Sequence, residues 1–139
     1  MEKIVIEVKV TVSSNLDKVW EYWNSPEHIV NWNFASDEWC APRAEVNLKP
    51  GGHFVCRMES KDGSMGFDFI GVYDVIKPLE LIEYTLEDNR KVSIEFLEGA
   101  GGIQVIEKFE AESENAIELQ QAGWQAILNN FKRYVESKS

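Results

Sequence analysis

The segment Leu48-Lys-Pro-Gly-Gly-His-Phe-Val-Cys-Arg-Met-Glu59 carries the strongest structural signal in this chain. Its Pro-Gly-Gly corner opens a stretch of alternating residues, which is the pattern of a β-strand with two different faces. One face carries Phe54, Cys56 and Met58, and the other carries His53, Val55, Arg57 and Glu59. Near the C-terminus, an amphipathic helix contains Gly123-Trp124. A sheet that curves around such a helix leaves a cleft between the two, and this cleft predicts a small-molecule site.

The N-terminal part of the chain predicts one strand followed by two short helices. Residues 3–12 alternate in polarity, and their apolar face consists of Ile4, Ile6, Val8, Val10 and Val12. Ser13-Ser14-Asn15 supplies candidate N-caps for a first helix. Ser25-Pro26 starts a second helix, expected to run to about Trp32, because Pro is tolerated at the first helical position. Residues 33–42 are expected to form an irregular, aromatic-rich loop.

The remaining sequence predicts six strands and one long helix. The strands are expected at about 43–49, 53–60, 66–76, 80–87, 91–98 and 103–112, with turn-forming residues between them. Residues 115–136 carry an apolar stripe at helical spacing, formed by Ile117, Gln121, Trp124, Leu128, Phe131 and Val135. With the first strand, this order predicts an α+β fold in which an antiparallel sheet packs against helices.

Length and composition predict a single domain spanning residues 1–139. Apolar residues make up 44% of the chain and charged residues 27%, which is an ordinary globular composition. No apolar run approaches the roughly 20 residues needed to cross a bilayer. The alternating N-terminus also lacks the continuous apolar stretch of a signal peptide. We therefore expect a cytoplasmic protein without membrane insertion.

The net charge of −10 is concentrated between Glu80 and Glu118. That segment contains eleven acidic residues and three basic ones. Such a surface repels phosphate groups, so we expect neither nucleic acid binding nor docking to anionic lipid. A solvated acidic face is the simplest interpretation, and a docking surface for a basic partner is the alternative.

The sequence predicts no metal site, disulfide or cofactor. Its only cysteines and histidines are Cys40, Cys56, His28 and His53, whose spacing matches no zinc motif. No nucleophile motif, phosphate-binding loop or dinucleotide fingerprint occurs.

Several short motifs occur in a fixed order across nearly the whole chain. They are Val19-Trp20-Glu21-Tyr22-Trp23, Pro26-Glu27-His28-Ile29 with Trp32, Leu48-Lys49-Pro50-Gly51-Gly52 with Phe54, Asp62-Gly63, Gly71-Val72-Tyr73, Lys77-Pro78 before a strand ending in Tyr84-Thr85, Phe109-Glu110 and Gly123-Trp124. In this order they resemble the START-like (SRPBCC, helix-grip) superfamily and, within it, homologues of the activator of heat-shock protein 90 ATPase. Asn33-Phe34-Ala35-Ser36-Asp37 is similar to a bacterial subgroup of that family.

The resemblance implies a helix-grip fold, in which a seven-stranded antiparallel sheet wraps around the C-terminal helix and leaves a cavity. Superfamily members bind lipids, sterols, polyketides or plant hormones, and some are cyclases or aromatases. The name of this family does not by itself imply that the chain activates a chaperone. The eukaryotic activator uses an additional N-terminal domain to bind the chaperone, and we expect no room for that domain in this chain.

Glu107 is the sharpest anomaly in the pattern. On the strand 103–112 it shares a face with Ile103, Val105 and Phe109. A lone buried carboxylate is costly, so it should be paired or have a raised pKa. Arg57 and His53 are possible partners from other strands. The alternatives are an internal ion pair, a strand-end residue that reaches water, and a ligand-orienting or acid–base group in the cavity.

Aromatic residues are expected around the cavity mouth, although their spacing also fits an ordinary core. Either Gln120 or Gln121 can face a ligand, because both lie one turn before Trp124. The predicted ligand-binding set is Trp32, Phe34, Trp39, Arg57, Tyr84, Glu107, Gln121 and Trp124.

Three functions follow as hypotheses from this sequence. The first is a non-enzymatic protein that binds a small apolar or amphipathic molecule. The second is a chaperone-associated or other protein-interaction module, based on the resemblance and the acidic face. The third is an enzyme of the cyclase, aromatase or hydrolase kind that uses Glu107 as an acid–base group. The sequence favours a protein that is not an enzyme.

Overall fold

The computed structural model describes residues 3–138, which form seven strands and three helices. In chain order these are β1 (Val5–Val12), α1 (Leu16–Asn24), α2 (Pro26–Ile29), β2 (Trp39–Val46), β3 (His53–Ser60), β4 (Gly66–Lys77), β5 (Leu81–Leu86), β6 (Lys91–Gly99), β7 (Gly102–Glu110) and α3 (Ile117–Lys138). The predicted α+β helix-grip fold is confirmed: a curled sheet packs against the long C-terminal helix, and two short helices follow the first strand.

All strand pairs of the sheet are antiparallel, in the order β1-β7-β6-β5-β4-β3-β2. Consecutive strands from β2 to β7 form a meander, and β1 adds to the far side of β7. The strand β1 alternates strictly between exposed and buried residues, as its sequence predicts. The two edges of the sheet are therefore β1 and β2.

The predicted bounds of β2 and of the second helix were wrong, and β2 ends at Val46 instead of near residue 49. Residues 39–42 were expected in a loop, but β2 begins at Trp39 and contains a register shift between Cys40 and Arg43. This irregularity and Pro42 hid the strand, because both interrupt the alternating pattern. The second helix ends at Ile29 instead of near Trp32.

The first helix begins where its capping residue predicts. The Asn15 side chain accepts a hydrogen bond from the Lys18 backbone N–H at 2.9 Å. At the second helix, Pro26 occupies the start, but the Ser25 side chain makes no capping hydrogen bond. Of the two helix starts, only that of α1 is therefore stabilised by a side-chain cap.

The helix α3 packs on β1 and supplies side chains to the open edge of that strand. Gln121 donates to the Glu7 carbonyl, Gln125 donates to the Lys9 carbonyl, and Lys132 donates to the Thr11 carbonyl. An uncovered edge strand invites pairing with other chains, so this row of side chains also protects β1.

The core is dense where α1, α2 and the C-terminal half of α3 meet the sheet. Phe131 lies with its ring centroid 4.9 Å from that of Trp23 and 4.8 Å from that of Trp32. Leu128, Phe131 and Val135 are completely buried. The N-terminal half of α3 contributes only one buried residue, Gln120, and here the core is hollow.

Among residues 3–138, no helix is long and apolar enough to cross a membrane. The same part of the chain contains no cluster of three residues suited to hold a metal ion. Cys40 and Cys56 are both free thiols.

Candidate functional site

A cavity of about 420 Å³ lies between the N-terminal half of α3 and the concave face of the sheet. It exists because α3 rests on β1, while β3, β4 and β5 curl away from the helix. Its wall includes Trp23, Ile29, Trp32, Ala44, Val46, Phe54, Cys56, Met58, Phe67, Phe69, Tyr73, Ile82, Tyr84, Arg90, Glu107, Leu119, Gln120, Gly123, Trp124 and Ile127. The size suits a small ligand, since such sites usually occupy about 300–1,000 Å³.

Aromatic rings form much of the wall, and they pack against one another. The ring centroid of Phe54 lies 4.7 Å from that of Tyr84 and 5.4 Å from that of Tyr73. On the opposite side, Trp124 stacks on Phe109 with centroids 3.9 Å apart and planes 10° apart. Ring contacts of this kind fix the side chains and keep the wall in one shape.

Gly71 makes room for the aromatic wall. A Cβ at this position would lie 2.6 Å from Cε1 of Phe54 and 3.1 Å from Cδ1 of Tyr84. The Phe54 ring therefore crosses β4 directly over a residue without a side chain. A larger residue at position 71 would push this ring toward the cavity.

The substitution Gly71→Ala is expected to destabilise the fold by about 1 kcal/mol or more, because the added methyl group displaces Phe54 from its packed position. Gly99→Ala is the matched control, since a Cβ there meets only the Gly102 carbonyl oxygen at 3.9 Å. Urea unfolding followed by tryptophan fluorescence measures both variants. Equal stability of the two would contradict the close approach at Gly71.

Gly123 also lines the cavity, but its surroundings are the reverse of those at Gly71. A Cβ at position 123 would have no heavy atom of the neighbouring structure within 4 Å. Glycine inside a helix costs about 1 kcal/mol relative to alanine. Close approach by the sheet therefore does not explain why a glycine occupies this helical position. The residue instead borders open space in the cavity.

The Glu107 side chain lies in the wall of the cavity on the concave face of β7. Its neighbours across the strands are Val8 on β1 and Ile94 on β6, and both are buried. Glu107 itself is only 5% exposed. Within residues 3–138, no hydrogen bond or ion pair reaches its carboxyl group, so the ion-pair alternative is wrong for this part of the chain.

Burial raises the pKa of the Glu107 carboxyl to about 8. The physical cause is that burial removes the water that would otherwise stabilise the charged carboxylate. At neutral pH the carboxyl therefore holds a proton in most molecules. A neutral acid inside an apolar cavity can donate a hydrogen bond, and it becomes an anion when a cation approaches.

Two tyrosine hydroxyl groups share the cavity with Glu107. Burial raises the pKa of Tyr84 well above its ordinary value, and the nearby Glu107 raises it further. Burial alone raises the pKa of Tyr73. Neither hydroxyl makes a hydrogen bond to another group in the described part of the chain. Both phenols stay neutral and are available to a ligand.

The exposed residues that line the cavity, Phe67, Leu119, Glu45 and Asn115, are partly apolar and partly polar. Phe67 on β4 and Leu119 on α3 are 46% and 62% exposed. Arg90 is a cation of the cavity wall, and its Nε donates to Asp88 at 2.7 Å while its Nη1 donates to the Glu110 carbonyl at 3.4 Å. The guanidinium is thus already engaged by the protein.

Four of the eight predicted site residues lie in the cavity wall: Trp32, Tyr84, Glu107 and Trp124. The indole N–H of Trp32 is not free for a ligand, because it donates to the Tyr22 carbonyl at 3.1 Å. The other four residues, Phe34, Trp39, Arg57 and Gln121, are not among the residues that line the cavity.

Each of these four has another structural role. Arg57 lies on the convex face, where it pairs with Glu59 at 2.8 Å and with Asp68 at 3.5 Å. Trp39 packs on Phe67 with centroids 6.1 Å apart. The Phe34 carbonyl accepts from the Asn130 side chain, and the amide of Gln121 covers the edge of β1.

Gln120, the neighbour of Gln121, is the glutamine that faces the cavity. Its side-chain oxygen accepts from the Glu112 N–H at 2.9 Å, and its nitrogen donates to the Asn115 carbonyl at 2.8 Å. These bonds hold the connection between β7 and α3. The amide is therefore structural and does not present free groups to a ligand.

The prediction missed Phe54, Phe69, Tyr73 and Arg90 as site residues. The first three lie on strands whose alternation assigns them to the buried face, so the sequence contained a signal for them. It contained none for Arg90, which follows the turn after β5.

Known proteins share this architecture and part of this sequence. A family model described as "Activator of Hsp90 ATPase homolog 1-like protein" matches residues 13–136. A comparison with curated proteins gave no match. A comparison with solved structures gave many matches.

An AHSA1-like protein from Aeromonas hydrophila, solved by NMR, is 39% identical, with a TM-score of 0.91 over 97% of this chain and 94% of that one. A protein from Cytophaga hutchinsonii is 51% identical, with a TM-score of 0.80 over 98% of this chain and 93% of that one. A crystal structure from Chromobacterium violaceum shares the fold at 19% identity, with a TM-score of 0.84 over 96% of this chain and 98% of that one.

Proposed function

The chain belongs to the family of Activator of Hsp90 ATPase homolog 1-like proteins, and we propose that it binds a small amphipathic molecule in the cavity between α3 and the sheet. One observation carries this proposal: a cavity of about 420 Å³ beside Trp124 is left unfilled by the protein's own side chains. The surrounding core is otherwise densely packed, and a hollow of this size gives up contacts that a packed core would make.

The wall explains why the ligand is amphipathic. Most of the lining side chains are apolar or aromatic, which favours an apolar ligand body. The carboxyl group of Glu107 and the hydroxyl groups of Tyr73 and Tyr84 add polar contacts in one region of that wall. Apolar walls with a small number of fixed polar groups are typical of small-molecule sites.

Binding of N-phenyl-1-naphthylamine, a neutral fluorescent probe, tests the proposal. The probe is expected to bind with a one-to-one stoichiometry and to gain fluorescence as it leaves water. Native mass spectrometry after incubation with a lipid and metabolite extract then identifies natural ligands as added mass. Absence of saturable probe binding, together with no retained mass, would overturn the proposed function.

An acid–base enzyme is the second candidate, and the environment of Glu107 favours it. Burial brings the pKa of this carboxyl to about 8, close to the range in which a general acid or base is most effective. The two candidates differ in what leaves the cavity. A binding protein releases its ligand unchanged, whereas an enzyme releases a molecule of different structure, which chromatography coupled to mass spectrometry detects.

A further inference from the structure

We propose that the ligand of this cavity is an amphipathic amine, whose ammonium group is held by Glu107 within the aromatic wall. This inference rests on the proposed small-molecule binding and adds the chemical class of the ligand.

The Glu107 carboxyl has no charged partner within residues 3–138. The residue is 5% exposed, and its carboxyl makes no hydrogen bond in the same part of the chain. Such a group is costly to ionise, and a ligand cation supplies the missing opposite charge. An anionic head group would instead meet Glu107 and a net charge of −10. Among the described residues of the wall, the one cation is Arg90, which is already paired with Asp88 at 2.7 Å.

The aromatic wall favours the same ligand. Phe54, Tyr84 and Trp124 belong to a set of rings around one cavity, and a cation near a ring face is attracted by its π-electrons. An uncharged alcohol of the same shape gains no comparable attraction. The rings therefore add to the preference that Glu107 creates.

The tyrosine hydroxyl groups complete the site. An ammonium group has three N–H donors, and Glu107 satisfies only part of them. The neutral hydroxyl groups of Tyr73 and Tyr84 are acceptors without a partner in the described part of the chain. A neutral Glu107 that donates to a ligand oxygen is the competing arrangement, and it predicts the opposite response to pH.

The titratable groups around Glu107 decide how ligand affinity responds to pH. Val8 on β1 and Ile94 on β6 flank it and do not titrate. The titratable or charged residues of the cavity wall are Tyr84, Tyr73, Cys56, Arg90, Glu45 and Glu112, and α3 contributes none. Burial raises the pKa of the Cys56 thiol, so it stays neutral.

Amine binding is therefore coupled to proton release from Glu107. Below a pKa of about 8 the free protein is mostly protonated there, while the complex needs the anion. The affinity for an amine should rise by about tenfold per pH unit below pH 8 and level off above it. A ligand that accepts a hydrogen bond from the neutral acid would instead bind with constant affinity below pH 8 and would lose affinity as pH rises above 8.

Displacement of N-phenyl-1-naphthylamine by n-decylamine, 1-decanol and decanoate tests the proposal with matched chains. At pH 8, n-decylamine is expected to bind at least about tenfold more tightly than 1-decanol, and decanoate most weakly. Glu107→Gln should remove the advantage of the amine over 1-decanol. Calorimetry in buffers of different ionisation enthalpy should show one proton released per amine bound near pH 7.

Equal binding of the amine and the alcohol would overturn the amine proposal while leaving the proposed function intact. An affinity that falls as pH rises would assign Glu107 as a donor to a ligand oxygen and would also overturn it. Failure of N-phenyl-1-naphthylamine itself to bind would instead count against the proposed function.

Discussion

Replacing Gly123 with Leu is expected to lower the affinity for N-phenyl-1-naphthylamine by at least about a hundredfold. The Leu side chain would enter the cavity, because a Cβ at this position meets no neighbouring heavy atom within 4 Å. The ligand and this side chain would compete for the same volume. Fluorescence titration of the probe measures the loss.

Gly123→Ala is the matched control for this variant. Both substitutions remove the helix penalty of glycine, so both should raise the free energy of unfolding by about 1 kcal/mol. Only Leu reaches far enough to occlude the cavity, so Ala should keep most of the binding. If the Leu variant is stable and binds the probe as well as the Ala variant does, the ligand does not occupy this cavity.

Replacing Glu107 with Gln is expected to remove a strong pH dependence from the stability of the protein. The pKa of this carboxyl rises from 4.5 to about 8 on folding because burial strips water from its charge. The unfolded chain therefore releases this proton more easily than the folded one between these values. Stability from this group is greatest below pH 4.5 and decreases as pH rises toward 8.

The magnitude follows from the size of the shift. Between pH 4.5 and pH 7, wild type should lose roughly 3 kcal/mol relative to Glu107→Gln, which corresponds to a change on the order of 10 °C in the difference between their melting temperatures. Urea unfolding of both proteins across this pH range measures the difference, in which the titration of all other groups cancels. A constant difference from pH 4.5 to pH 8 would mean that Glu107 is hydrated in the folded protein.

The strands were predictable because their alternation is local. The pattern of residues 3–12 places Ile6, Val8 and Val10 on the buried face of β1, as the structure shows. The same period of two assigned Glu107 to the buried face of β7. It also placed Arg57 opposite Phe54, so the position of Arg57 on the convex face was already contained in the sequence.

The site was harder to predict where a choice depended on neighbours far away in the chain. Adjacent residues on a helix point about 100° apart, so Gln120 and Gln121 differ only in how α3 is rotated against the sheet. That rotation places Gln121 over the edge of β1 and Gln120 toward the cavity. The bulge and Pro42 hid β2, and with it the strand position of Trp39.

The sequence by itself determined the order of the strands and helices, the faces of the strands and the unusual carboxyl among apolar residues. These properties follow from spacings of two, three and four residues, which involve only residues close to one another in the sequence. Only the tertiary structure decided that α3 packs on β1 and leaves a cavity between its N-terminal half and β3, β4 and β5. Phe54, Tyr84, Glu107 and Trp124 meet there from distant segments, and whether their combined volume fills the space depends on how the layers pack.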